Sequence, residues 1–143
     1  MAENEIEVAA PPERVWEVLA DPYSYRLWVT GTKEIRGADE SFPAEGSKLY
    51  HRVGAGPLSI ADSTTVLRSE RPALLILDAL AGPLGAARVE LELERRGEGT
   101  RVVLREAPSR GVGRLLHPAG DLFLRGRNRW SLERLRDLVE GHA

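Results

Sequence analysis

The chain has 143 residues, a formal net charge of -2 and no cysteine. This length suits one core, so we expect residues 1–143 to form a single domain. The near balance of 20 basic and 22 acidic residues provides no overall field that would attract nucleic acid or an anionic membrane. We expect a soluble, cytoplasmic protein, because the acidic N-terminus is unlike a secretory signal and no apolar stretch is long enough to span a bilayer.

The first part of the chain predicts a strand followed by a helix. Residues 5–8 alternate between acidic and apolar side chains, which is typical of a strand with one wet face. The pair Pro11-Pro12 then suits the first turn of a helix, and Glu13 follows where the helix dipole favours negative charge. Asp21-Pro22 predicts the end of this helix.

The middle of the chain predicts a run of strands. Alternating apolar and polar residues are separated by clusters of glycine and proline, the pattern of strands joined by turns. In the last two strands, glutamates on one outer face oppose arginines on the other, which predicts antiparallel pairing with cross-strand ion pairs. After a helical turn at 23–28, the predicted strands cover residues 32–37, 47–53, 58–71, 73–80, 89–94 and 101–105.

The C-terminal part predicts one long helix. Residues 108–113 form a break, and a helical period runs from about Leu115 to Glu140, with Pro118 starting or bending the main helix. The arginines at 125, 127 and 129 scatter around the helix and form no basic stripe. A helical wheel centred on Leu135 places these residues on the same side: His117, Asp121, Leu124, Asn128, Leu132 and Val139.

This order of elements resembles the START-like helix-grip superfamily, in particular the polyketide cyclase/dehydrase and lipid-transport group often called SRPBCC. The residues that carry the resemblance are the first strand, the segment Pro11-Pro12-Glu13-Arg14-Val15-Trp16-Glu17-Val18-Leu19, Asp21-Pro22, Trp28 and the strand start Gly99-Thr100-Arg101-Val102. The resemblance implies an α+β fold in which a curved antiparallel sheet of about seven strands surrounds a long C-terminal helix. Two short helices follow the first strand, and a hydrophobic cavity lies between sheet and helix.

Family members use this cavity differently. Some bind lipids, hormones or polyketides, and others close aromatic rings, so the resemblance alone does not choose a function.

Several polar residues fall on the apolar parity of the predicted strands and helix. Because a buried charge without a partner is costly, such groups are paired, lie at a wet cavity mouth, or have a function. Each also has a structural explanation: His51 as a hydrogen-bonded core residue, and the aspartates at the rim of the sheet. By parity the inward strand residues are His51, Asp62, Asp78 and Glu106, and the helix adds His117, Asp121 and Asn128.

Three aromatic residues are candidates for lining the cavity: Trp28, Tyr50 and Phe123. The resemblance favours Trp28, since the loop after the first helices borders the pocket entrance in this superfamily. Tyr50 lies on the polar parity of its strand, while Trp16 and Trp130 are interpreted as packing residues. The predicted ligand-binding set is therefore Trp28, His51, Asp62, Asp78, Glu106, His117, Asp121, Leu124 and Asn128.

The sequence has few features of a metal, phosphate or nucleophile site. The three histidines have no paired spacing, no glycine-rich loop joins a strand to a helix, and no serine lies in an elbow motif, so we expect neither a metal nor a cofactor. Catalysis would then need general acid/base chemistry, with His51 and either Asp62 or Asp78 as the candidate pair.

Three functions remain open. The first is binding of a small hydrophobic or amphipathic ligand, lipid- or polyketide-like, between the sheet and the C-terminal helix. The second is a polyketide cyclase or dehydratase that acts by acid/base catalysis in the same cavity. The third is a protein-interaction module that uses an outer face. We expect a monomer or weak homodimer with no nucleic-acid partner.

Overall fold

The computed structural model describes residues 1–55, 57–111 and 119–141. Its elements are β1 (Ala2–Val8), α1 (Pro12–Ala20), a 3-10 turn (Pro22–Ser24), α2 (Tyr25–Trp28), β2 (Thr32–Ala38), β3 (Lys48–Ala55), β4 (Leu58–Glu70), β5 (Leu74–Leu80), a second 3-10 turn (Gly82–Leu84), β6 (Ala86–Arg96), β7 (Gly99–Arg110) and α3 (Ala119–Glu140). No helix among the described residues combines the length and the apolarity needed to cross a membrane.

The seven strands form one antiparallel sheet in the order β1-β7-β6-β5-β4-β3-β2. Strands β2 to β7 pair consecutively, and β1 pairs with the last strand, β7. The two edges of the sheet are therefore β1 and β2. The curved sheet, the short helices after β1 and the long α3 confirm the predicted α+β helix-grip fold.

Helix α1 begins and ends where its sequence predicts. Pro12 lies in its first turn and the chain leaves the helix at Asp21, one residue before a proline. Its last carbonyl groups, which have no partner within the helix, accept hydrogen bonds from the next segment. The Ser24 hydroxyl donates to the carbonyl oxygen of Val18, and the Tyr25 hydroxyl donates to that of Leu19, each at 2.7 Å. These two bonds fix α2 against α1.

The core lies between the inner face of the sheet and the helices. Alternation places every second residue of β5, β6 and β7 on this face, and α3 adds residues spaced three and four apart. All of these side chains are buried: Leu75, Leu77, Leu91, Leu93, Val102, Leu104, Leu132, Leu135 and Val139.

The outer face of β1, β7 and β6 carries the predicted ion pairs. Arg105 contacts Glu3 and Glu90, each at 2.7 Å, and Arg101 pairs with Glu5 and Glu94. The strand register places Glu90 opposite Arg105 and Glu94 opposite Arg101, as the charge pattern predicts. These contacts lie on the surface opposite the core and do not contribute to an internal site.

Strand β7 is longer than predicted. It continues through Pro108 to Arg110, where the sequence predicts a break. Because β1 pairs with β7 only as far as Glu106, β7 is an edge strand beyond that point, where proline is tolerated.

The two edge strands of the sheet differ in how they are protected. Helix α3 runs along β1: the amino group of Met1 contacts Asp121 at 2.8 Å, Asn4 donates to the carbonyl oxygen of Arg125 at 3.0 Å, and the Ala9 N–H donates to Glu140 at 2.7 Å. At the other edge, the pairing of β2 with β3 has two register shifts.

Candidate functional site

His51 lies on the inner face of β3, as its parity predicts, and is 5% exposed. Its Nε2 atom is 2.9 Å from the carbonyl oxygen of Leu80, and its Nδ1 atom is 3.2 Å from the hydroxyl of Thr64. Because a carbonyl oxygen can only accept, Nε2 carries the proton and donates to Leu80. Nδ1 therefore accepts the hydroxyl proton of Thr64, and His51 is held as one neutral tautomer.

Burial lowers the pKa of His51, because an apolar environment disfavours the charged imidazolium. The hydrogen bond to Leu80 and the charge of Asp62 act in the opposite direction and only partly offset burial. The folded protein thus prefers the neutral ring.

This shift predicts a pH dependence of stability. The unfolded chain takes up a proton at His51 near its ordinary pKa of 6.5, whereas the folded chain takes it up only at lower pH. The contribution of His51 to the free energy of unfolding should therefore be fully present above pH 6.5. It should fall as the pH drops from 6.5 through the folded-state pKa. Urea unfolding between pH 7.5 and 5 measures the slope.

The matched variant is His51→Gln, whose amide can retain both hydrogen bonds without titrating. It should show a smaller loss of stability over the same pH range. Parallel curves for the two proteins would contradict the assignment of the slope to His51.

Asp62 lies opposite His51 in the β3–β4 ladder and is half-buried at the rim of the sheet. One carboxylate oxygen accepts the N–H of Gly82 at 2.7 Å, and the other accepts the N–H of Ser63 at 2.8 Å. Both oxygens therefore hold backbone groups. Asp62 and Leu80 together connect the His51 region to the turn between β5 and β6.

Asp78 lies on the outer face of the sheet, so the prediction that it points inward is wrong. The register places it opposite Arg88, while its neighbour Leu77 lies opposite Val89 on the inner face. The sequence misled because β5 is apolar on both faces: Ile76 shares the outer parity with Asp78 and is nevertheless buried. The predicted pairing of His51 with Asp78 is not formed.

A second polar cluster lies between β7 and α3. Glu106 faces inward, and its buried carboxylate pairs with Arg127 Nη2. The Arg127 guanidinium also donates to Asn128 Oδ1 at 3.3 and 3.4 Å. Sequence reasoning identified Glu106 and Asn128 but missed Arg127, because its contact depends on the position of the helix over the sheet.

Two buried side-chain N–H donors have no hydrogen-bond partner among the described residues. They are Asn128 Nδ2 and Trp28 Nε1, and their residues are 3% and 2% exposed. Buried donors without partners are rare, because each forfeits its hydrogen bond to water. Asn4 Oδ1 is the other buried side-chain polar atom without a partner in the part of the chain that the structure describes.

The remaining predicted helix residues are Asp121, Leu124 and His117. Asp121, on α3, accepts a hydrogen bond from the amino group of Met1, so its side chain lies beside the start of β1. Leu124 is half-buried on α3. His117 lies outside the described residues.

The aromatic predictions have mixed outcomes. Trp28 is buried beside Tyr25, with ring centroids 5.2 Å apart, and Tyr50 donates to Asp39 at 3.2 Å. Phe123 is 69% exposed, so it does not line an interior space. Trp130 is 57% exposed, and the Arg134 guanidinium lies 4.9 Å from its ring centre, so the interpretation as a packing residue is wrong.

A surface groove of about 320 Å³ lies between β1 and α3. Apolar atoms at its base are flanked by charges of both signs. None of the predicted site residues borders it; its lining is Glu5, Ile6, Arg129, Leu132, Glu133 and Arg136.

A curved antiparallel sheet that faces one long C-terminal helix is the architecture of a helix-grip protein. The chain belongs to the polyketide cyclase / dehydrase and lipid transport family, whose model matches residues 2–140. A comparison with curated proteins gave no match.

Solved structures share this fold at low sequence identity. A protein from Nitrosomonas europaea superposes with a TM-score of 0.75 at 18% identity, over 98% of this chain and 95% of that chain. A protein from Thermus thermophilus gives a TM-score of 0.72 at 18% identity, over 98% and 97%. A solution structure from Arthrobacter aurescens gives 0.75 at 18%, over 99% and 86%. These likenesses concern the fold alone.

Proposed function

We propose that this protein binds a small hydrophobic or amphipathic molecule between the inner face of the sheet and α3. The proposal agrees with membership of a family described by cyclase, dehydrase and lipid-transport activities. Burial of apolar surface would supply most of the affinity, and a few polar groups would fix the orientation of the ligand.

The observation that carries this proposal is the pair of buried donors, Trp28 Nε1 and Asn128 Nδ2. Most buried N–H groups are paired with protein or with ordered water. Donors that are buried and unpaired are instead suited to a partner that arrives from outside the chain. Their positions on α2 and α3 support a binding site beside the inner face of the sheet.

Thermal unfolding with a panel of fatty acids, aromatic ketones and polyphenols tests the proposal. A ligand at 100 times its Kd stabilises the folded state by about 2.7 kcal/mol, which raises the Tm of a protein of this size by roughly 5–10 °C. We expect such a rise with at least one class of compound. No rise with any compound would contradict the proposal.

The Trp130→Ala variant is the control for this panel. Trp130 is exposed on the outer side of α3, so its removal should leave the rise in Tm unchanged. A rise that disappears in this variant would indicate adsorption to the outer helix face and would count against an internal site.

Acid/base catalysis at His51 is the second candidate. It is supported by the neutral imidazole, which is oriented by the Leu80 carbonyl and accepts the Thr64 hydroxyl, an arrangement of base and orienting group that suits proton transfer. The His51→Gln variant separates the candidates, because it removes the base and can keep both hydrogen bonds. Loss of turnover with binding retained indicates an enzyme.

A further inference from the structure

We propose that the ligand presents uncharged oxygen acceptors, such as ketone or ester carbonyls, to Trp28 Nε1 and Asn128 Nδ2. This inference rests on the proposed function and specifies the chemistry of the ligand. Two features carry it: the orientation of the free donors, and the charge balance around them.

The orientation of the Asn128 amide is set by Arg127. Its Oδ1 atom accepts from the guanidinium, so the amide nitrogen is the end that remains free. Asn128 shares the buried face of α3 with Leu132 and Leu135, which directs it toward the sheet. The free N–H group therefore points into the molecule rather than toward solvent.

Trp28 is held near the same face of α3. Ser131, one turn after Asn128, accepts the N–H of Thr30 at 2.9 Å and donates to the Thr30 hydroxyl at 3.0 Å. Because Thr30 follows Trp28 by two residues, these bonds fix the end of α2 beside this turn of the helix. Trp28 thus lies at the contact between α2 and α3, and Asn128 lies one turn before Ser131 on the same helix.

Both free groups are donors, so their partner must supply acceptors. An indole nitrogen carries a proton and cannot accept, and the amide nitrogen of asparagine likewise only donates. A hydrocarbon would leave both unpaired. The complementary chemical group is an oxygen with free lone pairs.

The charges around Asn128 favour an uncharged oxygen. The nearest cation, Arg127, is already neutralised by the buried carboxylate of Glu106. A carboxylate placed here would be buried without a counter-charge, which costs far more than burial of a neutral carbonyl.

Three probes of matched shape test the inference: 2-acetylnaphthalene, 2-ethylnaphthalene and 2-naphthoate, titrated calorimetrically at pH 7.5. We expect the ketone to bind about tenfold more tightly than the ethyl compound, the effect of pairing a buried donor. The ethyl compound is the more apolar of the two, so simple partitioning predicts the opposite order. We also expect the ketone to bind more tightly than the carboxylate.

Asn128→Leu removes one donor at nearly constant shape, and Trp28→Phe removes the other with some loss of side-chain volume. Each should reduce the preference for the ketone. Trp130→Ala, on the exposed side of the same helix, should leave the preference unchanged. If a donor variant fails to fold, the order of affinities for the unsubstituted protein still decides the question.

Equal binding of the ketone and the ethyl compound would overturn the inference and leave the proposed function intact, since water alone would then satisfy the donors. Tightest binding of the carboxylate would overturn the choice of an uncharged group. No binding of any probe would overturn the inference and count against the proposed function.

Discussion

Replacing Arg127 with methionine should lower the free energy of unfolding by roughly 2–4 kcal/mol. The substitution leaves the carboxylate of Glu106, which is 7% exposed, without its cation. A charge buried alone is far less stable than a charge buried in a pair. The expected loss is moderated because Arg127 itself retains 28% of its side-chain exposure. Chemical denaturation in urea measures the difference.

The double variant Glu106→Leu with Arg127→Met is the control. When both partners are replaced by apolar side chains, the desolvation cost disappears with the attraction, so most of the lost stability should return. If Arg127→Met alone changes stability by less than about 0.5 kcal/mol, Glu106 is hydrated in solution and the buried pair is not formed.

Replacing Gly85 with alanine should lower the free energy of unfolding by about 3 kcal/mol or more. The backbone at Gly85 has a conformation and a close main-chain contact that favour glycine. Gly85 has φ 107° and ψ -140°, and a Cβ atom would lie 2.0 Å from the carbonyl oxygen of Arg110. The obstacle is main chain, which cannot rotate away as a side chain can. Thermal and urea unfolding both report the loss.

The effect should extend to the His51 region. The turn that contains Gly85 follows Leu80, the hydrogen-bond partner of His51, and supplies the N–H of Gly82 to Asp62. In Gly85→Ala we therefore expect a shift in the imidazole NMR signals of His51.

Gly37→Ala is the matched comparison for Gly85. Gly37 lies in β2, but a Cβ there would meet nothing within 4 Å, and its φ is not in the left-handed region. It should change stability by no more than about 0.5 kcal/mol. Equal effects of the two substitutions would mean that the close approach of Gly85 to Arg110 is absent in solution.

The local sequence predicts the fold well because the residues that begin and end each helix or strand lie next to it in the chain. Pro11-Pro12 and Asp21-Pro22 enclose α1, and alternation between turn clusters delimits the strands. The opposed charges of the last two strands predict their pairing, which the register of Glu94 with Arg101 confirms. Such signals act over a few residues and can be read without knowledge of the tertiary structure.

The site is less predictable because its contacts join distant segments. Parity places His51 on the inner face, but it cannot show that Leu80 and Thr64 hold the ring. Parity fails for Asp78, since a strand that is apolar on both faces has no unique inner side. The sequence does not single out Arg127, because its contact partner, Glu106, is 21 residues away in sequence.

The protection of both sheet edges has a consequence for association between molecules. A regular free strand offers a ladder of backbone groups on which another chain can add its own strand. Here α3 runs beside β1 and covers that edge of the sheet. At the other edge, the two register shifts of β2 interrupt the regular spacing of the backbone groups. We therefore do not expect a second copy of this protein to extend the sheet by adding a strand at either edge.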